Sequence, residues 1–136
     1  MYSYVIEALN VPKMDLTSNS DPYVIFKFEK DKIGIKTKAL SNTLTPQWNE
    51  LVNLIITDSN EDLIIEMWDK NVTKDKFISS TKINIKKYLN GEAFYEWIKL
   101  DKILLNLAIQ IKREGEGFIT QEDVNIYQLS TIPNIE

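Results

Sequence analysis

The chain contains no histidine and no cysteine. The first absence excludes every histidine-dependent triad and every imidazole-ligated metal site. The second removes disulfides, zinc clusters and thiol nucleophiles. There are four glycines, which form neither a phosphate-cradling loop nor a dinucleotide-binding fingerprint. No apolar run approaches the roughly 20 residues needed to span a bilayer as a helix. The opening Met1-Tyr2-Ser3-Tyr4-Val5-Ile6-Glu7 lacks the basic flank and long apolar stretch of a secretory leader. Tyr2 excludes N-myristoylation, and the closing Pro133-Asn134-Ile135-Glu136 offers no prenylation site. The expectation is a cytoplasmic chain, in which the Asn71-Val72-Thr73 glycosylation triplet carries no weight.

What is present suits one domain with or without a tail. A chain of 136 residues with 43% hydrophobic content can bury a sizeable core unaided. Twenty acidic against sixteen basic residues leave a net charge of −4. Contact with nucleic acid or anionic lipid must therefore come from local patches rather than bulk attraction.

Short β-branched and aromatic runs alternate with polar turns, which predicts strands over about 2–11, 22–30, 33–40, 48–57, 62–69, 77–85, 94–100 and 103–112. The last has Leu105, Leu107, Ile109 and Ile111 on one side and Asn106, Ala108, Gln110 and Lys112 on the other, the pattern of a half-buried antiparallel strand. In the third, Ile33 and Ile35 oppose Lys36 and Lys38. Lys86-Lys87-Tyr88-Leu89 suits a single helical turn. Eight short strands at this spacing predict an all-β sandwich over 1–112. Glu114-Gly115-Glu116-Gly117 reads as a flexible break, and 113–136 as a tail able to dock on the sandwich.

Carboxylates concentrate in two connections, Lys13 to Pro22 and Trp68 to Phe77. A single loop aspartate is by default a solvated turn cap. Connections at one end of a sandwich converge, however, and converging carboxylates repel unless a cation lies between them. Calcium takes six to eight oxygens, which suits such loops. An EF-hand starting at Asp69 fails, because Lys74 stands where that loop needs glycine and Ser80 where it needs a bidentate glutamate.

At these residues the chain resembles the C2 domain family, the calcium- and phospholipid-binding β-sandwiches first defined in protein kinase C. Val5-Ile6-Glu7-Ala8 and Ser20-Asp21-Pro22-Tyr23-Val24 frame a segment similar to that family's first calcium loop. Thr43-Leu44-Thr45-Pro46-Gln47-Trp48-Asn49-Glu50 resembles its most specific stretch. Ile65-Glu66-Met67-Trp68-Asp69 with Phe77-Ile78 resembles the borders of its third loop, and Tyr95-Glu96-Trp97-Ile98-Lys99-Leu100 its late strand. The resemblance covers about 1–112. An opening Val-Ile-Glu-Ala strand and an extra strand after Trp97 resemble the circularly permuted type II arrangement.

The resemblance implies an eight-stranded antiparallel Greek-key sandwich and no reaction. It implies calcium ligands at Asp15, Asp21, Asp69, Asn71 and Asp75. Asn71 stands where the family usually has aspartate, and Asp75 lies in a third-loop interval one residue short. Lys36 and Lys38, with Lys27 and Lys30 nearby, suit a phosphoinositide-headgroup strip. Leu16 and Val72 suit membrane insertion at the loop apices, and Trp48 and Trp97 suit packing. The expected function is calcium-dependent binding to anionic phospholipid, with reversible recruitment from the cytoplasm. The alternative is a calcium-independent protein-interaction module with a degenerate calcium site.

Overall fold

Alternation is strictest in Asp62–Asp69, where Leu63, Ile65, Met67 and Asp69 are buried and the intervening residues are half-exposed. The structure, a computed structural model, describes residues 1–112 and 119–130, with side chains through Gln128. Its strands are β1 (Tyr2–Leu9), β2 (Pro22–Phe28), β3 (Ile35–Lys36), β4 (Gln47–Asn53), β5 (Asp62–Asp69), β6 (Lys76–Asn84), β7 (Phe94–Leu100) and β8 (Ile103–Gln110). They form two antiparallel four-stranded sheets, ordered β4-β1-β8-β7 and β3-β2-β5-β6. First and last strands thus lie side by side. A one-turn 3₁₀ helix, Ile85–Tyr88, precedes β7 at the site of the expected helical turn.

The core lies between the sheets. Val5, Leu105, Leu107 and Ile109 meet Val24, Phe26, Ile65 and Met67 there, all at or near zero exposure. Each such side chain contributes about 1.5–3 kcal/mol by leaving water. Val5 and Ala8 both face this core although three residues apart, which strict alternation forbids. A β-bulge between Val5 and Glu7, seen in the pairing with both β4 and β8, supplies the extra residue. Ile6 is thereby left to the outer face.

Two strand expectations are corrected. The 33–40 strand shrinks to Ile35–Lys36, because Thr37 Oγ1 accepts the Val24 amide at 3.0 Å and interrupts the regular ladder. Ile33 and Ile35 are exposed. Strand β8 is buried on both faces, not half-buried, as all eight of its residues show.

Its outer face is covered by α1 (Gln121–Ser130), a helix within the segment expected as a tail. Ile119 and Val124 pack on Tyr4, Ile6 and Ala108, and Tyr127 stacks on Tyr95 with centroids 4.6 Å apart. Thr120 and Asp123 cap this helix reciprocally. The Asp123 amide donates to Thr120 Oγ1 at 3.2 Å and the Thr120 amide to Asp123 Oδ2 at 3.0 Å. The Glu114–Gly117 break lies outside the described residues.

Candidate functional site

Three connections meet at one end of the sandwich: 10–21 after β1, 37–46 after β3 and 70–75 after β5. Asp69, the last residue of β5, is 1% exposed. Its Oδ1 accepts the Asp21 amide at 2.8 Å, and the Asp21 carbonyl accepts the Lys70 amide at 3.0 Å. This exchange locks the first loop to the third. The other oxygen, Asp69 Oδ2, is buried without a hydrogen-bond partner. A carboxylate oxygen in that state is costly unless a cation or donor meets it.

Asp21 is half-buried, and its Oδ1 accepts the Asn42 amide at 2.6 Å. Asn42 in turn accepts the Asn19 amide through Oδ1 at 2.9 Å. It adopts a left-handed backbone with φ of 53°, a conformation asparagine tolerates. Asn42 is absent from the residues expected at the site, and its place in a Ser-Asn-Thr turn cluster is the signal that could have found it. Ser20 is buried and pins the first loop from within. It donates to the Pro12 carbonyl at 2.7 Å and accepts the Met14 amide at 3.2 Å.

The remaining acidic side chains are engaged elsewhere. Asp15 Oδ1 is 2.7 Å from Lys76 Nζ. Asp75 accepts the Tyr23 hydroxyl on Oδ2 at 2.6 Å and the Asn71 amide on Oδ1 at 3.0 Å. Those bonds, Tyr23 first, hold its carboxyl below the usual range, aided by Lys70 and Lys36. Burial and the facing carboxylate push the Tyr23 phenol well above its ordinary value. The Asn71 side-chain nitrogen donates to the Lys74 carbonyl at 3.1 Å. Among the described residues no three acidic side chains form one metal-holding group.

The donor chemistry fits a hard cation at Asp21 and Asp69, where a buried oxygen lacks a partner. One Asp15 oxygen is paired with Lys76, and both Asp75 oxygens already accept hydrogen bonds. Leu16 and Val72 stand fully exposed on the first and third loops.

Lys36 and Lys38 line a groove of about 490 Å³ with Tyr23, Glu50, Lys70 and Asp75. The Lys36 ammonium lies 5.8 Å from the Tyr23 ring centroid. Lys27 and Lys30 do not join them, being paired with Glu66 at 3.5 Å and Glu61 at 3.4 Å. Trp48 is buried and donates to the Pro22 carbonyl at 3.3 Å. Trp97 is half-exposed, with its ring nitrogen buried and unpartnered.

Synaptotagmin-5 of Arabidopsis thaliana is 28% identical over 99 residues, covering 72% of this chain and 18% of the relative. Protein C2-DOMAIN ABA-RELATED 4 of the same plant is 34% identical over 84 residues, 61% of this chain and 46% of the relative. The chain therefore spans under half the length of either. Among solved structures, the calcium-bound pair of C2 domains from extended synaptotagmin 2 superposes with a TM-score of 0.69. The identity is 25%, and the match covers 80% of this chain and 44% of that one. The family model for the C2 domain matches residues 1–100, which hold β1 to β7 and the loops that carry Asp15, Asp21, Asp69 and Asp75. By that match and this fold, the chain belongs to the C2 domain family.

Proposed function

We propose that the chain attaches to anionic membrane surfaces in response to calcium, using the first and third loops. The observation that carries this reading is the buried, unpartnered Asp69 oxygen beside Asp21, flanked on both loops by exposed aliphatic apices. Asp21 and Asp69 would hold the ion, with Asp15 as a third ligand once freed. A bound divalent cation supplies local positive charge and open coordination positions that phospholipid oxygens can take.

The charge balance makes this an effective switch. Asp15, Asp21, Asp69 and Asp75 are matched on the same segments by Lys13, Lys70, Lys74 and Lys76. The ion-free loops are therefore near neutral, and one divalent ion renders them positive. Electrostatic attachment then depends on the ion although the chain carries −4 overall. Leu16 and Val72 would enter the interfacial region, and the Lys36–Lys38 groove would receive a phosphoinositide headgroup.

A second reading, a calcium-independent protein-interaction module, is favoured by one observation. Asp15 and Asp75 are both satisfied within the protein. Sedimentation with phosphatidylserine vesicles, in chelator and in calcium, separates the two. Calcium-dependent pelleting supports membrane attachment. Its absence at millimolar calcium rejects it in favour of the partner-binding module.

A further inference from the structure

One cation already stands between the two loops. Lys76 opens β6 and pairs across the ladder with Asp69, the residue whose second oxygen is buried and unpartnered. From there its side chain crosses to the first loop, 61 residues earlier in the chain. The ammonium lies 2.7 Å from Asp15 Oδ1 and 3.5 Å from the Met14 carbonyl. It therefore meets two oxygens of one loop while rooted in the other. Asp15 and, more weakly, Asp69 raise the affinity of Lys76 for its proton, so the ammonium is charged throughout the physiological range.

We infer that Lys76 is the resident cation of this loop pair, holding the first loop to the third through Asp15. The inference rests on the calcium reading in one respect. A divalent ion that recruits Asp15 shares that carboxylate with the ammonium, and the repulsion of two like charges at such short range opposes the ion until the lysine swings away. The chain's response to calcium is thereby set by a competition between a tethered monovalent cation and a free divalent one. Being tethered, Lys76 is present at a constant effective concentration, so the calcium threshold is raised by a fixed factor. Lys70 and Lys74 cannot serve this way. Neither forms an ion pair among the described residues.

The test compares wild type, Lys76→Gln and Lys74→Gln. The two variants change net charge equally, but only one removes the tether. Calcium alone is titrated calorimetrically into each. Removing the competitor is expected to tighten calcium binding about tenfold in Lys76→Gln, since charge at the first shell tunes such sites over decades. Lys74→Gln should stay within about twofold of wild type, as a solvent-screened charge does. A second readout needs no calcium. In chelator, amide hydrogen exchange over residues 13–19 should quicken about three- to fivefold in Lys76→Gln alone, the scale of an exposed ion pair.

Equal tightening in both variants would overturn the inference, because net charge would then suffice. So would unchanged first-loop exchange in Lys76→Gln. If no form takes calcium yet Lys76→Gln loosens the first loop, the tether stands and the calcium reading falls.

Discussion

At the scale of single residues, the site is decided by which oxygen each aspartate leaves free. Asp69 keeps one buried oxygen without a donor, whereas Asp75 spends both. Asp69→Asn preserves the oxygen that accepts the Asp21 amide and removes the charge. Stability in chelator should stay within about 1 kcal/mol of wild type, the scale of one hydrogen bond. The calcium-induced rise in melting temperature should vanish, because ligand binding to the folded state alone produces it. Paired melts in chelator and millimolar calcium check both statements. Tyr23→Phe addresses Asp75. Its folded-state carboxyl is held below the unfolded value, chiefly by the Tyr23 hydroxyl, so the linked stability is present above the unfolded pKa. That stability is lost as pH falls through the lowered folded value. Denaturant titrations at about pH 5 and pH 3 should show a smaller acid-induced loss in Tyr23→Phe than in wild type.

At the scale of elements, α1 is as much a part of the sandwich as the strands it covers. Val124 has no exposed surface and sits against Tyr4, Ile6 and Ala108. Val124→Ala removes two buried methyl groups at about 0.8 kcal/mol each, so a loss near 1.6 kcal/mol is expected by urea unfolding. Ile126, mostly exposed on the same helix, should lose almost nothing on the same change. Because alanine is the better helix former at both positions, unchanged or raised stability at both would mean that helix propensity, not docking, carries the stability. The Thr120-Gln121-Glu122-Asp123 run is a legible start signal for this helix. Periodicity hides it, because α1 is only weakly amphipathic. The alternation in β8 misleads for the related reason that Asn106, Ala108 and Gln110 look solvent-facing, whereas the helix meets the first two and Gln110 donates to the Gly91 carbonyl at 3.0 Å. Asn106 is kept satisfied there by the Tyr127 hydroxyl at 3.2 Å.

At the scale of the molecule, the two proposed binding surfaces lie on adjoining regions. The loop end carries Asp21, Asp69, Leu16 and Val72, while the groove beside it carries Lys36, Lys38 and Lys70. Asp75 and Lys70 belong to the third loop and line that groove, so the two regions share an edge. A chain seated on a bilayer by its loops would bring the groove toward the headgroups. Lys36→Ala with Lys38→Ala should weaken binding to phosphoinositide-containing vesicles by about 2 kcal/mol, or roughly thirtyfold, at about 1 kcal/mol per lysine. Binding to phosphatidylserine vesicles, measured by the same sedimentation, should fall much less. Equal losses on both would make the groove an ordinary charged surface.

Sequence alone determined the period-two strands, hence the two sheets, and the loop positions of the carboxylates. Those depend on local backbone geometry and on which faces must leave water. Tertiary structure decided the partners. Whether Asp15 meets Lys76 or an ion, whether Asp75 faces the loops or Tyr23, and whether the outside of β8 meets water or Val124 all depend on distances across the fold. Hydrogen bonds and ion pairs act over only a few ångströms. Residues 48, 52 or 61 apart in the chain come within that range only when the sheets have closed.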